Sequence, residues 1–192
     1  MISKQNNIKA KSQSVSKEGA LDGFIPPMAY QPQLLDGGYT RIEISSPPSK
    51  LSYIHKKLIE VMEGPLKIRY LRMTDRIKGQ LPKPESYVAV EVTKERVLQL
   101  CEECSALLYH DARHQLWIRG THEEQLVLDE LGMLYIYPDD FLFRETLSAS
   151  GWIEAKHESM ADRDYVKVFF DVQADEQEKQ LMQALGMVRW EG

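Results

Sequence analysis

Two cysteines and two histidines form the pattern in this sequence that most resembles a metal site. Cys101 and Cys104 are followed by His110 and His114, which gives the spacing C-x2-C-x5-H-x3-H. Zinc needs four ligands at about 2.0–2.3 Å from the metal. The helical spacing of the cysteines predicts instead that both lie on the apolar face of a helix, as small hydrophobic residues. A strand over 106–109 would then carry His110 about 13 Å from the end of that helix. We therefore predict no metal and no cofactor.

The two histidines remain candidates as a pair. His110 and His114 flank three residues between predicted strands, so a hairpin would bring their Cβ atoms to about 5 Å. At that distance two imidazoles could share a proton, or bind a metal with one more carboxylate. Asp139 and Asp140 follow a predicted strand and are candidate acids, although capping of the next helix is their simpler role. These four residues define one alternative, a small metal- or acid/base-dependent enzyme; the other is a polar hairpin tip in solvent.

Positive charge is concentrated in one segment of an acidic chain. Residues 67–83 contain six basic residues and one acidic residue, while the whole chain has a net charge of −5. Such a strand and loop could hold a phosphate, a carboxylate ligand or an acidic protein surface. The alternative is a solvated edge strand that positive charge protects from aggregation. The predicted ligand-binding residues are Lys67, Arg69, Arg72, Arg76 and Lys78, and further candidates for anion contacts are Arg113, Arg119 and Arg144.

The composition of the chain and the absence of common motifs exclude several classes of function. Hydrophobic residues make up 43% of the chain and charged residues 28%, which is ordinary for a soluble globular protein. The net charge argues against nucleic acid as a partner. Two cysteines cannot form a disulfide framework, and no apolar run is long enough for a bilayer, so we expect a cytoplasmic protein without a membrane partner. The short motifs of serine hydrolases, P-loop proteins, dinucleotide-binding proteins and zinc proteases are absent.

The elements that must position these residues alternate between strands and helices. The βαβ order occurs over 39–73 and recurs over 86–110, 114–137 and 164–190. We expect an α/β fold of the α+β type with mixed sheets, built from two tandem ferredoxin-like halves. The predicted boundaries are a flexible tail over 1–37, a first half over 38–112 and a second half over 113–192 packed on the first.

This interpretation depends on three local assignments of secondary structure. The run ALLYH (106–110) is predicted as a strand, and EEQLVLDEL (123–131) as a helix that begins at a capping box. The segment 74–84 is predicted as a long loop. The tail, with Lys4, Lys9, Lys11 and Lys17, is predicted either to be solvated or to contact an anionic partner.

The function that follows from these features is a soluble binding or interaction module for an anionic small molecule or an acidic protein surface. The small enzyme described above is the first alternative. The second is a structural subunit of a homo-oligomer, such as a homodimer, because the exposed edge strands of such folds pair readily.

Overall fold

One long β-sheet organises the protein. The computed structural model describes residues 9–75, 77–168 and 172–191, and it is a mixed α/β structure with about 32% helix and 35% strand. The strands are β1 (Ser12–Ser14), β2 (Ala29–Leu34), β3 (Thr40–Ser45), β4 (Leu66–Asp75), β5 (Gly79–Val92), β6 (His114–Arg119), β7 (Gln125–Leu128), β8 (Leu134–Tyr137), β9 (Ile153–Glu154), β10 (Tyr165–Lys167) and β11 (Val188–Arg189). The helices are α1 (Pro48–Val61), α2 (Lys94–Glu103), α3 (Ser105–His110), α4 (Phe141–Ala149) and α5 (Gln173–Ala184).

The strands of the large sheet follow the order β11-β5-β4-β6-β7-β8-β3-β2-β9, while β1 and β10 form a separate two-stranded sheet. The neighbours in the large sheet are antiparallel except for β2 and β9, so the sheet is mixed. At one edge, β11 pairs with β5 only at Tyr87 and Val88. Within the described residues, the remaining outer edge of β5 therefore has no strand partner.

Alternation along the strands buries one face of this sheet. Ile68 and Tyr70 on β4 are buried together with Leu116 and Ile118 on β6, whereas Arg69 between the first two is only half-buried. Successive side chains of a strand point to opposite faces, so these buried residues share one face. They join the apolar sides of the helices in a single hydrophobic core.

The helices follow from their apolar spacing and their caps. Leu51, Ile54 and Leu58 of α1 are buried and repeat at the three- and four-residue intervals that form one side of a helix. The hydroxyl of Thr93 accepts a hydrogen bond from the Arg96 amide and caps α2. All of the described helices that pack on one another do so on the buried side of the sheet.

Two of the local assignments made from the sequence are wrong. Residues 106–110 belong to helix α3, and all four residues from Ala106 to Tyr109 are buried. A short run that is apolar on every side has the same pattern in a buried helix and in a strand, so its periodicity does not separate them. Residues 125–128 form strand β7 instead of a helix, because Leu126 and Leu128 meet partners on both β6 and β8.

The predicted loop after β4 is largely a hairpin. Gln80 pairs with Thr74 and Glu85 pairs with Arg72, so most of the segment 74–84 belongs to the ends of β4 and β5. The register shifts between these two pairs, which shows a bulge in the hairpin. A bulge interrupts the regular alternation, and this explains why the sequence pattern in this segment resembles a loop.

The ferredoxin-like repeat is not confirmed. β3 and β4 come from the predicted first half, but the meander β6-β7-β8 of the predicted second half lies between them in the sheet. Strands from both halves therefore contribute to one sheet. The division into halves at residue 112 stays a prediction.

Ordered elements lie within the segment that was expected to be a tail. β2 pairs with β3 along its whole length, and β1 pairs with β10. Ser12 and Ser14 are buried, and the Ser12 hydroxyl donates to the Leu131 carbonyl oxygen at 2.7 Å. Both hydrogen bonds and apolar contacts attach this segment, because Tyr30 of β2 belongs to the hydrophobic core. The sequence of this segment has no regular hydrophobic period that would predict either.

Lys11 is fully buried beside β6. Its Nζ lies 3.3 Å from the carbonyl oxygens of Leu108 and His114, and 3.4 Å from His114 Nε2. Desolvation lowers the Lys11 pKa to about 8, against the attraction of Asp129 and other carboxylates nearby. Lys11 directly precedes β1, and its ammonium group therefore lies in a buried site that disfavours its charge.

We predict that this buried lysine makes stability depend on pH between about 8 and 10.5. In that range the unfolded chain holds the Lys11 proton and the folded chain does not, so Lys11 stabilises the fold increasingly as the pH rises. Chemical unfolding of wild type and Lys11→Met across this range should show the difference in unfolding free energy (wild type minus variant) rising by about 2–3 kcal/mol.

The comparison with the variant is essential because other buried groups titrate in the opposite direction. Burial raises the pKa of Cys101 and of Cys104 to about 11, so their contribution to stability falls above pH 9 in both proteins. Lys179→Met, at an exposed site on α5, serves as the control and should leave the pH dependence of wild type unchanged. A constant difference between wild type and Lys11→Met would contradict the assignment.

Candidate binding site on the open face of the sheet

The face of the sheet opposite the helices carries the predicted basic strand. We call this surface the open face. Lys67 and Arg69 of β4 lie on it, and Val90 and Trp190 near its edge are 62% and 49% exposed. The strand register places Trp117 of β6 directly beside Arg69. Exposed apolar and aromatic side chains next to cations are a common composition of a binding surface.

These residues surround a shallow depression with a volume of about 340 Å³. Its polar and aromatic lining comes from Lys67, Arg69, Trp117, Arg119, Gln125 and Trp190, and valines of β5 contribute to its apolar side. Among the described residues, no acidic side chain contributes to this lining. The depression therefore combines positive charge with two indole rings.

Arg69 is held in place without an acidic partner. Its Nε donates to the Ser86 hydroxyl at 2.9 Å, and its guanidinium carbon lies 4.8 Å from the centre of the Trp190 ring. No carboxylate in the described part of the chain forms an ion pair with Arg69 or with the exposed Lys67. Both charges are thus oriented by the sheet and remain available to an anion.

Arg119 has an acidic partner, but exposure to solvent weakens the ion pair between them. It forms an ion pair with Glu123, and the two side chains are 45% and 68% exposed. Exposed pairs of this kind contribute only about 0–1 kcal/mol. An anion in the depression can compete with Glu123 for Arg119.

Arg72 lies on the other side of the sheet, although the sequence analysis grouped it with Lys67 and Arg69. Its Nε donates to Glu178 Oε1 at 2.9 Å and its Nη1 to Glu85 Oε2 at 3.0 Å. Tyr70 also donates its hydroxyl to Glu178, at 2.6 Å. Burial disfavours the charge of Arg72, but the hydrogen bond to Glu178 outweighs this and raises the Arg72 pKa. Arg72 therefore belongs to an internal network that joins β4 to α5.

The other predicted contacts are separated from the depression. Lys78 is exposed in the β4–β5 turn, next to Asp75, which accepts hydrogen bonds from the Ile77 and Lys78 amides. About eight residues of extended strand separate this turn from Lys67, which corresponds to about 26 Å. Arg76 lies outside the described residues.

The remaining candidate arginines have internal partners. Arg113 is buried and donates to both carboxylate oxygens of Asp111 and to Asp175. Arg144 donates to the carboxylate of Asp139 through two nitrogens, with Nε to Oδ1 at 2.7 Å. Of the three candidates, Arg119 alone lines the depression.

The two histidines do not face each other across a hairpin. His110 is the last residue of α3, and His114 is the first residue of β6. The His114 ring is fully buried and stacks on Tyr70, with 4.9 Å between ring centres. Desolvation and the nearby Lys11 lower the His114 pKa well below its usual value. His114 is therefore a neutral core residue.

The two aspartates shape the start of α4. Asp140 accepts a hydrogen bond from the Leu142 amide at 2.8 Å and caps the helix, which confirms the simpler of the two roles considered for it. Asp139 binds Arg144, and its own amide donates to the Thr40 hydroxyl. Both carboxylates are engaged in local structure.

The strand register separates the histidines from the aspartates. Tyr137 at the end of β8 pairs with Gln125, which pairs with Arg119 at the far end of β6 from His114. Five residues of strand correspond to about 17 Å, and Asp139 lies beyond Tyr137. The four residues of the enzyme alternative are thus not brought together.

The cysteines lie in the core as expected. Cys101 and Cys104 are free and buried, and desolvation raises the pKa of each thiol to about 11. Within the described ranges, no group of three or more His, Cys, Asp or Glu residues is arranged to hold a metal ion. The thiols therefore act as apolar groups.

Trp117 and Trp190 were not identified from the sequence as site residues. Trp117 is in a strand that was predicted correctly, and alternation from the apolar Leu116 and Ile118 already places it on the opposite face. Trp190 follows the last strand, and its amide donates to the Ser86 carbonyl oxygen. Its contact with Arg69 depends on a pairing across 121 positions of the chain, which the sequence pattern does not show.

No family model, curated protein or solved structure matches this chain. In the described part of the chain, no helix combines the length and the apolar character needed to cross a membrane.

We predict that the carboxylate of Glu178 stabilises the fold through the network that includes Arg72. Glu178→Gln keeps the size of the side chain but removes the charge shared by Tyr70 and Arg72, so the free energy of unfolding should fall by about 2 kcal/mol. Urea unfolding measures this change. The exposed Glu176→Gln on the same helix is the control and should cost less than about 0.5 kcal/mol. Equal effects of the two substitutions would show that the network does not stabilise the protein.

Proposed function

We propose that this protein is a binding module that takes an anionic small molecule in the depression on the open face. The observation that supports this most directly is the position of Lys67 and Arg69, two cations without acidic partners in the described residues, beside two indole rings. Sites for small ligands commonly have volumes of about 300–1,000 Å³ and a few oriented polar groups on an apolar lining.

The lining suggests the chemistry of the ligand. A phosphate or carboxylate would accept hydrogen bonds from Lys67 and Arg69, and charge-assisted bonds of this kind are about twice as strong as neutral ones. A planar ring would pack against Trp117 or Trp190, or against the guanidinium plane of Arg69. A ligand that carries both groups fits this site better than a simple ion.

An acidic protein surface would use the same cations. It is a weaker candidate because Lys67 and Arg69 flank a depression of about 340 Å³, a size that suits a small ligand. A homodimer remains a prediction from the exposed edge strands, and light scattering coupled to size-exclusion chromatography tests it. The proposed role is placed in the cytoplasm, where the two buried thiols would stay reduced.

We predict that adenosine 5′-monophosphate, used as a probe with both a phosphate and a planar ring, binds in the depression. Adenosine lacks the anion and ribose 5-phosphate lacks the ring, so each should bind at least about tenfold more weakly, since tenfold corresponds to about 1.4 kcal/mol. Isothermal titration calorimetry measures all three affinities.

The double substitution Lys67→Glu with Arg69→Glu should weaken binding of the probe by at least about tenfold, because it replaces two attractive contacts with repulsion. Lys50→Glu with Lys156→Glu changes the net charge equally at exposed positions outside the depression and should leave binding unchanged. The proposal fails if none of the three compounds binds, or if both double variants bind the nucleotide as wild type does. Tighter binding of an oligoglutamate peptide than of the nucleotide would favour the acidic protein partner.

A further inference from the structure

The open face continues well beyond the depression. Two rows of side chains cross the sheet in register. The first, which we call the Arg69 row, consists of Val88, Arg69, Trp117, Val127, Tyr135 and Glu43, of which Val127 and Glu43 are buried. The second, the Lys67 row, consists of Lys67, Arg119, Gln125, Tyr137 and Arg41.

Each end of this surface carries an arginine stacked on an aromatic ring. At one end Arg69 lies over Trp190, and at the other the Arg41 guanidinium carbon lies 4.6 Å from the centre of the Tyr135 ring. Arg41 also donates to the Tyr137 hydroxyl at 3.1 Å. Rings and guanidinium planes are the groups on which unpaired bases stack.

The charge of these two rows is positive, unlike that of the whole chain. They contain four cations and one carboxylate, Glu43, which is buried, accepts from Gln31 at 2.9 Å and pairs with Arg41 at 3.5 Å. The net charge of −5 argued against nucleic acid, but a ligand on the two rows meets the local charge of these rows. Two carboxylates lie beside the rows: Asp129 accepts from the Tyr135 hydroxyl at 3.5 Å, and the exposed Glu123 pairs with Arg119. A surface that binds a phosphate backbone needs cations between the groups on which the bases stack. Lys67 and Arg119 lie in such positions.

We propose that the open face binds single-stranded nucleic acid laid across the strands, with bases on the aromatic and guanidinium planes and phosphates on Lys67, Arg69, Arg119 and Arg41. This inference rests on the proposed function, because one nucleotide of the bound nucleic-acid strand would occupy the depression. From β5 to β3 the surface spans five strand spacings, or about 24 Å. That length accommodates several nucleotides, and sites for single strands cover about 4–16 nucleotides. Stacking tolerates any base, so we expect little sequence preference.

The test compares AMP with single-stranded oligodeoxyadenylates of about 4, 8 and 12 nucleotides, which sample the usual range of site sizes. Calorimetry or fluorescence anisotropy measures the affinities. We expect binding to tighten at least about tenfold from AMP to the eight-nucleotide strand, and to weaken with increasing salt as phosphate contacts release counterions. A duplex of the same length should bind more weakly than the single strand, because its bases are not available for stacking.

The double substitution Arg41→Gln with Glu43→Gln separates the inference from the proposed function. It conserves net charge and lies outside the depression, but it removes the guanidinium over Tyr135. AMP affinity should be unchanged, while affinity for the eight-nucleotide strand should fall about fivefold or more. Lys179→Gln with Glu176→Gln removes an exposed ion pair on α5 in the same way and should change neither affinity.

The possible results have distinct meanings. If AMP binds through Lys67 and Arg69 but longer strands bind no more tightly, or Arg41→Gln with Glu43→Gln has no effect on strand binding, the inference fails and the proposed function stands. If an oligoglutamate peptide of equal charge binds as tightly as the eight-nucleotide strand, the inference also fails. If neither AMP nor any strand binds, both fail.

Discussion

Burial of the helix-facing side of β4 and β6, with the opposite side of these strands left accessible, is the constraint on which the other features depend. Alternation along β4 and β6 places Ile68, Tyr70, Leu116 and Ile118 under the helices. The residues between them are therefore fixed in spacing and direction by the same backbone, although the core does not need them. A rigid backbone holds their side chains in fixed relative positions, as binding sites require.

The same alternation divides the cations into two populations. Arg69 and Arg72 are three residues apart on one strand, so they point to opposite faces. Arg72 meets Glu178 and Glu85 and helps attach α5, whereas Arg69 meets a hydroxyl and an indole ring. Charge density along the sequence does not distinguish these environments. Of these two arginines, Arg69 keeps its charge available for a partner.

The sequence predicted several elements well, where the pattern of apolar residues is unambiguous. β4, β6, α1 and α2 follow clear two-residue or helical spacing, and the Asp140 cap is confirmed. The errors fall where tertiary pairing decides the structure, in two short runs, in the segment 74–84 and in the described part of the expected tail. ALLYH is apolar on all sides, so the same residues suit a strand or a buried helix. Residues 125–128 follow a capping signal, yet they pair with neighbouring strands on both sides.

The candidate site was only partly predictable, for a related reason. Lys67, Arg69 and Arg119 were identified by charge alone. Trp117 was available from the alternation of a correctly predicted strand. The contact between Trp190 and Arg69, and the burial of Lys11 beside His114, depend on pairings between distant parts of the chain. Predicting such pairings requires the correct order of the strands in the sheet. The ferredoxin-like order expected from the sequence differs from the order in the structure.

The uncovered edge of β5 has a consequence for how the protein behaves at high concentration. An exposed strand edge invites other chains to extend the sheet, which is a route to fibres. Here that edge contains Pro82 and Pro84, which have no amide hydrogen to donate, with the exposed Lys83 between them. An incoming strand would find missing donors and a positive charge along this stretch. The outer half of the hairpin is thereby protected against edge-to-edge pairing with other chains. The sheet can therefore keep one face exposed without polymerising along this stretch.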